Sequence, residues 1–397
     1  MSSDAAVTAP SQLSVAVIKR DVVATFIVFA LNGAVLGSWT SRVPAIRDHL
    51  HAQFRVLGLV FLCMGLGSLI SMPFTGWATR RFSTLQVSRV MSVGACLVLP
   101  TLSLIGNTWI FAALFLFAGM FYGAWDVTLN VHGAAVEERY GKPIMPMLHG
   151  SWSAGLLAGS GLGAIFAGAH MGLSTHLWIT IPVLLIFNLW LTQRWNDLRH
   201  IEEAPGDKAP GRILTWPIIL MGLMVLFSSI GEGSATDWLA LHINDDLGKS
   251  QSIAATGYVA YALTLTIGRL IGGKAIERFG RVLAIRFSGV VAAAGIAITI
   301  LAPGYVAIYA GPVLWGLGLA VVFPATISAA GERGGKRAGD AIAAVSSIGY
   351  GAFLVGPPVI GFVAQHFGLE KALWIPAALG VAVTLLAFTA APPRRAD

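Results

Sequence analysis

The chain has 397 residues, of which 56% are hydrophobic and only 11% are charged, and its mean hydropathy is +0.74. A soluble domain carries about 25% charged residues because water must solvate its surface, so this composition excludes a soluble protein. The net charge of +7 does not indicate nucleic-acid binding. The basic residues lie at the ends of apolar runs, where lipid headgroups are, and form no stripe with interleaved aromatic residues.

A helix needs about 20 predominantly apolar residues to cross the hydrocarbon core of a bilayer. Twelve runs meet this condition, so the sequence predicts an all-α membrane protein with twelve transmembrane helices. Glycines at four-residue spacing, such as Gly155, Gly159 and Gly163, predict a face on which helices pack closely. The predicted spans are 22–43, 56–78, 85–105, 109–132, 146–169, 176–194, 214–240, 252–273, 282–302, 305–329, 340–364 and 371–391.

The placement of basic residues predicts the orientation of the chain. Most of the 26 Lys and Arg residues lie in loops on the side of the N-terminus, and the positive-inside rule assigns that side to the cytoplasm. An even number of spans then places the C-terminus there too. The longest polar stretch, 195–213, is the predicted cytoplasmic linker between two pseudo-symmetric six-helix halves, 1–194 and 214–397.

A short motif occurs once in each half, at residues 76–82 and 273–279. Each copy follows one long apolar run and precedes another. A half-length repeat in a very apolar chain is typical of a transporter built from two similar membrane halves. The residues to which we assign a gating or loop role are Gly76, Arg80, Arg81, Gly273, Glu277, Arg278, Gly280 and Arg281.

The repeated Gly-x-x-x-[charge]-Arg-Phe pattern resembles the cytoplasmic loop signature of the major facilitator superfamily. The second copy matches that signature better, because the first has Arg80 where an acid is usual and Ser83 where glycine is usual. Further segments are similar to the branch typified by the bacterial inner-membrane protein YbjJ, which is related to the fucose–proton symporter group. They are 126–133 with Glu137, 147–153, 231–238 and 355–358.

This resemblance implies a multi-pass transporter of the bacterial inner (cytoplasmic) membrane that moves a small polar solute, such as a sugar, a cyclitol or a related metabolite. We expect a monomer whose partners are the solute, protons and lipid. No nucleotide-binding loop or catalytic triad pattern occurs, so we expect neither an enzyme nor a cofactor. Cys63 and Cys96 both lie inside apolar runs and are interpreted as small buried side chains, not as a disulfide or a metal pair.

Asp126 is the strongest candidate for a functional residue. It lies inside the span 109–132, where a charged side chain costs about 3 kcal/mol on insertion scales. We therefore expect it to face a cavity between the halves and to exchange a proton during transport. Asn130 follows one turn later on the same face, and Trp125 can stack on a sugar, so all three are predicted substrate contacts. The alternative is that Asp126 only bonds a neighbouring helix or a basic group.

Two other residues are assigned to proton coupling, Glu232 and His149. Glu232 stands between two glycines that let its helix bend towards the cavity, and the pKa range of histidine suits a proton relay. Equally good interpretations are a packing or capping role for His149, an interhelical hydrogen bond for Asn32 and an interfacial position for Asp237. The remaining predicted substrate contacts are Asn32, His149, Trp152, Glu232 and Asp237.

Two arginines near the spans are given structural roles. Arg42 is expected to extend towards the membrane interface, and Arg269 is expected to pair near the cytoplasmic surface. The internal repeat is broken at the candidate acid, because Asp126 falls opposite Phe323 in the second half. We therefore expect the chemistry to lie in the N-terminal half, in the fourth and fifth spans.

The sequence thus predicts a secondary transporter that works by alternating access, coupled to protons as a symporter. A proton-coupled exporter of metabolites or drugs is the first alternative. Exporters of the superfamily that the chain resembles often carry a Gly-Pro motif in the fifth span, and the absence of proline after glycine there favours uptake over export. A membrane receptor or scaffold that does not transport is the second alternative, and the acids inside the spans argue against it.

Overall fold

The computed structural model describes residues 15–141, 144–195 and 214–392. Within these ranges all regular structure is helical, as the apolar runs predict. The predicted linker 195–213 lies outside the described residues except for Trp195, and so do both chain ends.

The helices form two consecutive groups. The N-terminal group comprises α1 (Val15–Thr40), α2 (Val43–Leu50), α3 (Phe54–Arg81), α4 (Thr84–Leu102), α5 (Thr108–Tyr140), α6 (Met145–Gly168) and α7 (Leu173–Leu191). The C-terminal group comprises α8 (Trp216–Ser234), α9 (Ala240–Asp245), α10 (Gln251–Phe279), α11 (Arg281–Leu301), α12 (Gly311–Leu319), α13 (Val322–Gly334), α14 (Ala338–Phe367), α15 (Leu369–Ala372) and α16 (Trp374–Leu386). Single π-helical turns precede α9 and α12, at Ala235–Leu239 and Val306–Ala310. Short 3-10 turns are Thr192–Arg194, Gly335–Arg337 and Ala387–Ala390.

Eleven helical segments in the described residues are long and apolar enough to cross a membrane. Each overlaps one of the twelve predicted spans. The remaining predicted span, 146–169, forms α6, which has 24 residues but is not among the eleven. Glycines and polar side chains such as His149, Ser151 and Ser153 lower its hydropathy.

Side-chain oxygens fix where two central helices begin. The Asn107 side chain accepts hydrogen bonds from two N–H groups in the first turn of α5, at 3.0 and 3.1 Å. Glu137, in the last turns of α5, accepts from the N–H groups of Ile144 and Met145 at 2.6 and 2.7 Å. These are the orphan donors at the start of α6, so α5 itself determines where the next helix starts.

Glycine brings α1 and α6 into close contact. A Cβ at Gly155 would overlap the carbonyl of Ala30, and a Cβ at Gly159 would overlap that of Ala34. This is the close backbone approach that the four-residue spacing predicts. The main contacts within each group are α1 with α6, α3 with α5, α8 with α14, and α11 with α12 and α16.

The two groups meet along two seams, α3 against α14 and α6 against α10. In the first seam, Gly58 lies against the backbone of Pro357 and Gly361. The ring of Phe61, also on α3, is 5.6 Å from that of Trp238 in the π turn. Both contacts lie towards the end of the bundle that carries α2, which we name the α2 end.

Charged and polar side chains join the groups at the α2 end. Arg47 of α2 forms an ion pair with Asp245 of α9. Gln251, at the start of α10, donates a hydrogen bond to Asp48 at 2.8 Å. The Arg47 guanidinium also lies 4.6 Å from the centre of the Phe54 ring. At this end, therefore, α2 connects the N-terminal group to the C-terminal group.

The α1–α6 contact generates a stability prediction with a control in the same helix. Gly155→Ala forces the two backbones apart, and we expect it to lower the free energy of unfolding by about 1–3 kcal/mol. A Cβ at Gly161 would meet no atom within 4 Å, so Gly161→Ala leaves stability unchanged or raises it by up to about 1 kcal/mol through helix propensity. Thermal unfolding in detergent measures both variants, and equal Tm values for the two would contradict the packing argument.

Candidate functional site

Asn32 links three helices in the middle of the N-terminal group. Its side chain is fully buried, and its Oδ1 accepts hydrogen bonds from the Tyr122 hydroxyl and the Trp152 indole N–H, both at 2.8 Å. Its Nδ2 has no partner among the described residues. Asn32 therefore makes the interhelical hydrogen bonds that are one interpretation of its sequence position, and one amide donor is left over.

Asp126 lies on α5, one turn after Tyr122, and its side chain is partly exposed. Within the described ranges its carboxylate forms no hydrogen bond and no ion pair. It acts electrostatically on the phenols of Tyr122 and of Tyr350, which belongs to α14 in the other group. The predicted acid thus lies in the middle of the bundle, near both groups.

The two neighbours predicted to assist Asp126 are occupied differently. The Trp125 ring is fully buried and packs at 6.2 Å from the Tyr122 ring, so it offers no open face for a sugar to stack on. The Asn130 amide donates to the main-chain oxygen of Asp126 at 2.9 Å. This bond fixes the amide group along its own helix.

Glu232 and Arg269 form an ion pair between α8 and α10. Arg269 Nη2 lies 2.9 and 2.8 Å from the two carboxylate oxygens, and both side chains are about a quarter exposed, at 26% and 22%. The sequence predicts that Arg269 pairs near the cytoplasmic surface. The structure gives Glu232 as its partner and places Arg269 ten residues before the end of α10, which is about 15 Å along the helix.

The Glu232–Arg269 pair also reaches the N-terminal group across the second seam. Arg269 Nη1 donates to the Ser153 hydroxyl at 3.2 Å, and that hydroxyl donates to the main-chain oxygen of His149 at 3.1 Å. His149 is exposed, and its ring lies edge-on to Phe29 at 5.9 Å. His149, the proton-coupling candidate on α6, is thus one helical turn from Ser153, which contacts Arg269 across the seam.

Asp237 lies in the π turn Ala235–Leu239, and its side chain is partly exposed. Like Asp126, it has no hydrogen bond or ion pair within the part of the chain that the structure describes. A π turn adds one residue to a helical turn and occurs often at functional sites. It rotates Asp237 relative to Glu232 by an amount that regular helix geometry does not give.

The two loop motifs use different local chemistry. After the second copy, Gly280 has φ of 79°, which favours glycine, and Arg281 forms an ion pair with Glu332 of α13. After the first copy, Ser83 has an extended backbone and caps α4 in a reciprocal capping box with Gln86. The departure at Ser83 from the usual glycine therefore has a structural explanation. The remaining motif residues, Gly76, Arg80, Arg81, Gly273, Glu277 and Arg278, lie in the last turns of α3 and α10.

Arg42 does not extend to the interface. Only 3% of its surface is exposed, because the side chain turns inward and donates to the main-chain oxygen of Met171 at 2.9 Å.

Sequence reasoning missed three contributors to the centre: Tyr122, Ser153 and Tyr261. The hydroxyl of Tyr261 on α10 is buried with no partner among the described residues, and it lies in electrostatic range of Glu232 and Arg269. Tyrosine and serine are common in apolar helices, so nothing in the sequence distinguishes them. Only the packing of helices distant in the chain identifies them.

Comparison with known proteins gives relatives along nearly the whole chain. An uncharacterized transporter of Sinorhizobium fredii, y4wD, is 33% identical over 90% of this chain and 95% of its own length. An uncharacterized MFS-type transporter of Yersinia pestis is 31% identical over 94% of this chain and 95% of its own length. The fosmidomycin resistance protein of Escherichia coli is 22% identical over 86% and 85% of the two chains.

Solved structures share the fold at low sequence identity. A mutant of the nucleoside transporter NupG has a TM-score of 0.74 and 12% identity, and the match covers 93% of this chain and 99% of that one. A bacterial homologue of the human lysosomal transporter Spinster has a TM-score of 0.74 and 12% identity over 95% and 98% of the two chains.

A family model described as Major Facilitator Superfamily matches residues 221–397. Two relatives above 30% identity extend the likeness to the N-terminal group, and both are named as transporters. The chain therefore belongs to the major facilitator superfamily and is a membrane transporter, not an enzyme.

Proposed function

We propose that this protein is a secondary active transporter that moves a small polar solute across the bacterial inner membrane, coupled to protons. In this proposal α6 is the fifth of twelve spans, although it is not among the eleven segments that are long and apolar enough to be recognised as membrane spans. The linker 195–213 separates the two halves, 1–194 and 214–397. Both termini and this linker are cytoplasmic. The α2 end then faces the exterior. The excess of basic residues in the loops on the side of the N-terminus supports this orientation.

The contacts between the two groups support alternating access. The groups are joined at the α2 end by the ion pair between Arg47 and Asp245 and by the hydrogen bond between Asp48 and Gln251. Both contacts are between side chains and can break without disturbing either group internally. We propose that they close the exterior side in this conformation, and that the two halves rock around the central site during transport.

The unpaired carboxylate of Asp126 is the observation that carries the proposed proton coupling. A charged carboxylate without a partner is unfavourable in a closed, dry site, whereas the protonated form is tolerated. Glu232 is already compensated by Arg269. We therefore assign the transported proton to Asp126 and propose that Glu232 and Arg269 position the solute and connect the halves.

Unused polar groups around the centre support a hydroxylated solute. Among the described residues, Asn32 Nδ2 and the Tyr261 hydroxyl are buried without a partner, so a solute would meet them only after the halves move apart, whereas Asp126 is a partly exposed acceptor without a partner. Sugars and cyclitols offer many hydroxyls of both kinds, each of which can pair with such groups. A solute of this class would satisfy groups that the protein leaves unpaired.

Proton-coupled export is the second candidate function. It is favoured by the likeness of the chain to the fosmidomycin resistance protein of Escherichia coli, at 22% identity. Uptake is favoured by the sequence of α6, because exporters of the superfamily often carry a Gly-Pro motif in the fifth span and no proline follows the glycines in the apolar part of α6. Right-side-out and inverted vesicles distinguish the two directions, since only one of them accumulates solute under an imposed proton gradient.

The substitution Asp126→Asn tests the proposed proton coupling. A thermal-shift screen of the wild type against sugars, cyclitols, organic acids and drugs identifies a solute, because a ligand of the folded state raises Tm with saturation. In proteoliposomes the variant should accumulate about 10-fold less of that solute under a proton gradient than the wild type does, because Asn cannot release a proton. Exchange of solute by counterflow should persist.

Glu138, which is exposed on the same helix, supplies the control. Glu138→Gln should accumulate solute like the wild type. Undiminished accumulation by Asp126→Asn would refute the proton assignment, and a panel in which no solute binds or moves would favour the receptor alternative.

A double-mutant cycle tests the energetic link between Glu232 and Arg269. Glu232→Gln leaves a cation without its partner, and Arg269→Met leaves an anion without its partner, so each single change should lower stability. The double variant removes both charges and should recover part of the loss, with a coupling energy of about 0.5–3 kcal/mol. Thermal unfolding of the four proteins measures the coupling, and strictly additive effects would show that the pair is not energetically linked.

A further inference from the structure

A second buried polar cluster lies outside the central site, at the α2 end of the N-terminal group. Arg42 lies in the turn between α1 and α2 and is 3% exposed, and His176 in α7 is fully buried. The side chain of Ser41 and the ring of His176 both lie against Gly163 of α6. Arg42 also acts electrostatically on His176. The cluster therefore occupies the corner where α1, α6 and α7 meet.

Several polar atoms of this cluster have no hydrogen-bond partner among the described residues, although the Ser41 hydroxyl donates to the main-chain oxygen of Gly37 at 2.9 Å. Arg42 Nη2 donates to the main-chain oxygen of Met171 at 2.9 Å, but Nε and Nη1 have no partner in the described part of the chain. Neither nitrogen of His176 has one, and neither does the hydroxyl of Ser38, which precedes Arg42 by four residues. Native proteins leave very few buried polar atoms unpaired, so this corner requires a further acceptor.

Charge decides what that acceptor is. Among the residues described, no carboxylate pairs with Arg42, so its guanidinium is a buried cation without a counter-charge. Water molecules could accept its hydrogen bonds but would leave the charge uncompensated, which is strongly unfavourable in a low-dielectric interior. We propose that Arg42 and His176 bind a small monovalent inorganic anion of the chloride class at this corner.

The position of the proposed anion gives it a consequence for the closed end. Arg42 directly precedes α2, and α2 carries Arg47 and Asp48, which contact the C-terminal group. An anion that fixes Arg42 also fixes the start of α2, and so favours the contacts between the groups. This inference depends neither on the identity of the solute nor on the role of Asp126.

The test is an anion titration of the purified wild-type protein in detergent. Sodium gluconate is exchanged for sodium chloride at constant ionic strength, and Tm is measured. We expect a saturable rise of about 2–5 °C, because the anion binds the folded state. Bromide should reproduce the rise, whereas a rise with acetate or phosphate but not with halide would overturn the proposal. A linear, unsaturable change would also overturn it.

Variants locate the effect. Arg42→Met keeps an unbranched apolar side chain and removes the guanidinium charge, so it should lose the chloride response and be at least as stable as the wild type in gluconate. Arg55→Met alters an exposed arginine at the same end and should keep the response. A chloride response that persists in Arg42→Met would overturn the proposal.

Two measurements keep the proposal testable if Arg42→Met does not fold. His176→Gln leaves the Arg42 cation in place and should weaken the apparent chloride affinity by about 3–10-fold, in line with the loss of one hydrogen bond. An unchanged affinity would contradict the assignment of His176 as a ligand of the anion. Wild-type crystals soaked in bromide should show an anomalous peak beside the Arg42 guanidinium, and a corner without that peak would refute the site.

Discussion

Lipid offers no hydrogen-bond partner to a spanning helix, and this restriction accounts for where the polar side chains of this protein lie. Asn32 receives two hydrogen bonds from other helices, and Arg269 reaches both Glu232 and Ser153. A side chain as short as that of Asn32 can reach other helices only where the backbones approach closely. The glycine contact between α1 and α6 therefore does more than pack the bundle, because it also brings Trp152 within reach of Asn32.

The two groups share a scaffold but not a chemistry. The loop motif ends α3 and α10 alike, yet the first copy is followed by a serine cap at Ser83 and the second by a positive-φ glycine at Gly280. The larger asymmetry lies in the middle of the bundle, where Asp126 corresponds in the repeat to Phe323. A common fold thus carries an unpaired acid in one group and an ion pair, Glu232 with Arg269, in the other.

The positions of the long helices could be predicted from the sequence because an apolar run of sufficient length is a local property. Asp126 could be singled out for the same reason, since an acid in such a run is conspicuous. The partner of Glu232 could not be predicted from the sequence, because Arg269 lies on another helix and the pairing depends on how α8 and α10 are rotated about their axes. The π turn at Asp237 and the burial of Trp125 likewise depend on tertiary packing. The hydropathy of α6 is lower because several of its positions are glycines, which allow close packing against α1 but add little apolar surface.

The contrast between the two central acids bears on how such a transporter can couple two events. A carboxylate held by an arginine stays ionised and keeps its position, whereas a carboxylate without a partner changes charge when it binds a proton. If Asp126 carries the proton, as we propose, its neutralisation removes the charge that opposes closure of the centre. The hydrogen bond from Arg269 of the Glu232–Arg269 pair to Ser153 crosses between the groups. Movement of one half against the other would break or remake that bond, so in our proposal the pair responds to the conformation while the protonation of Asp126 controls when the conformation changes.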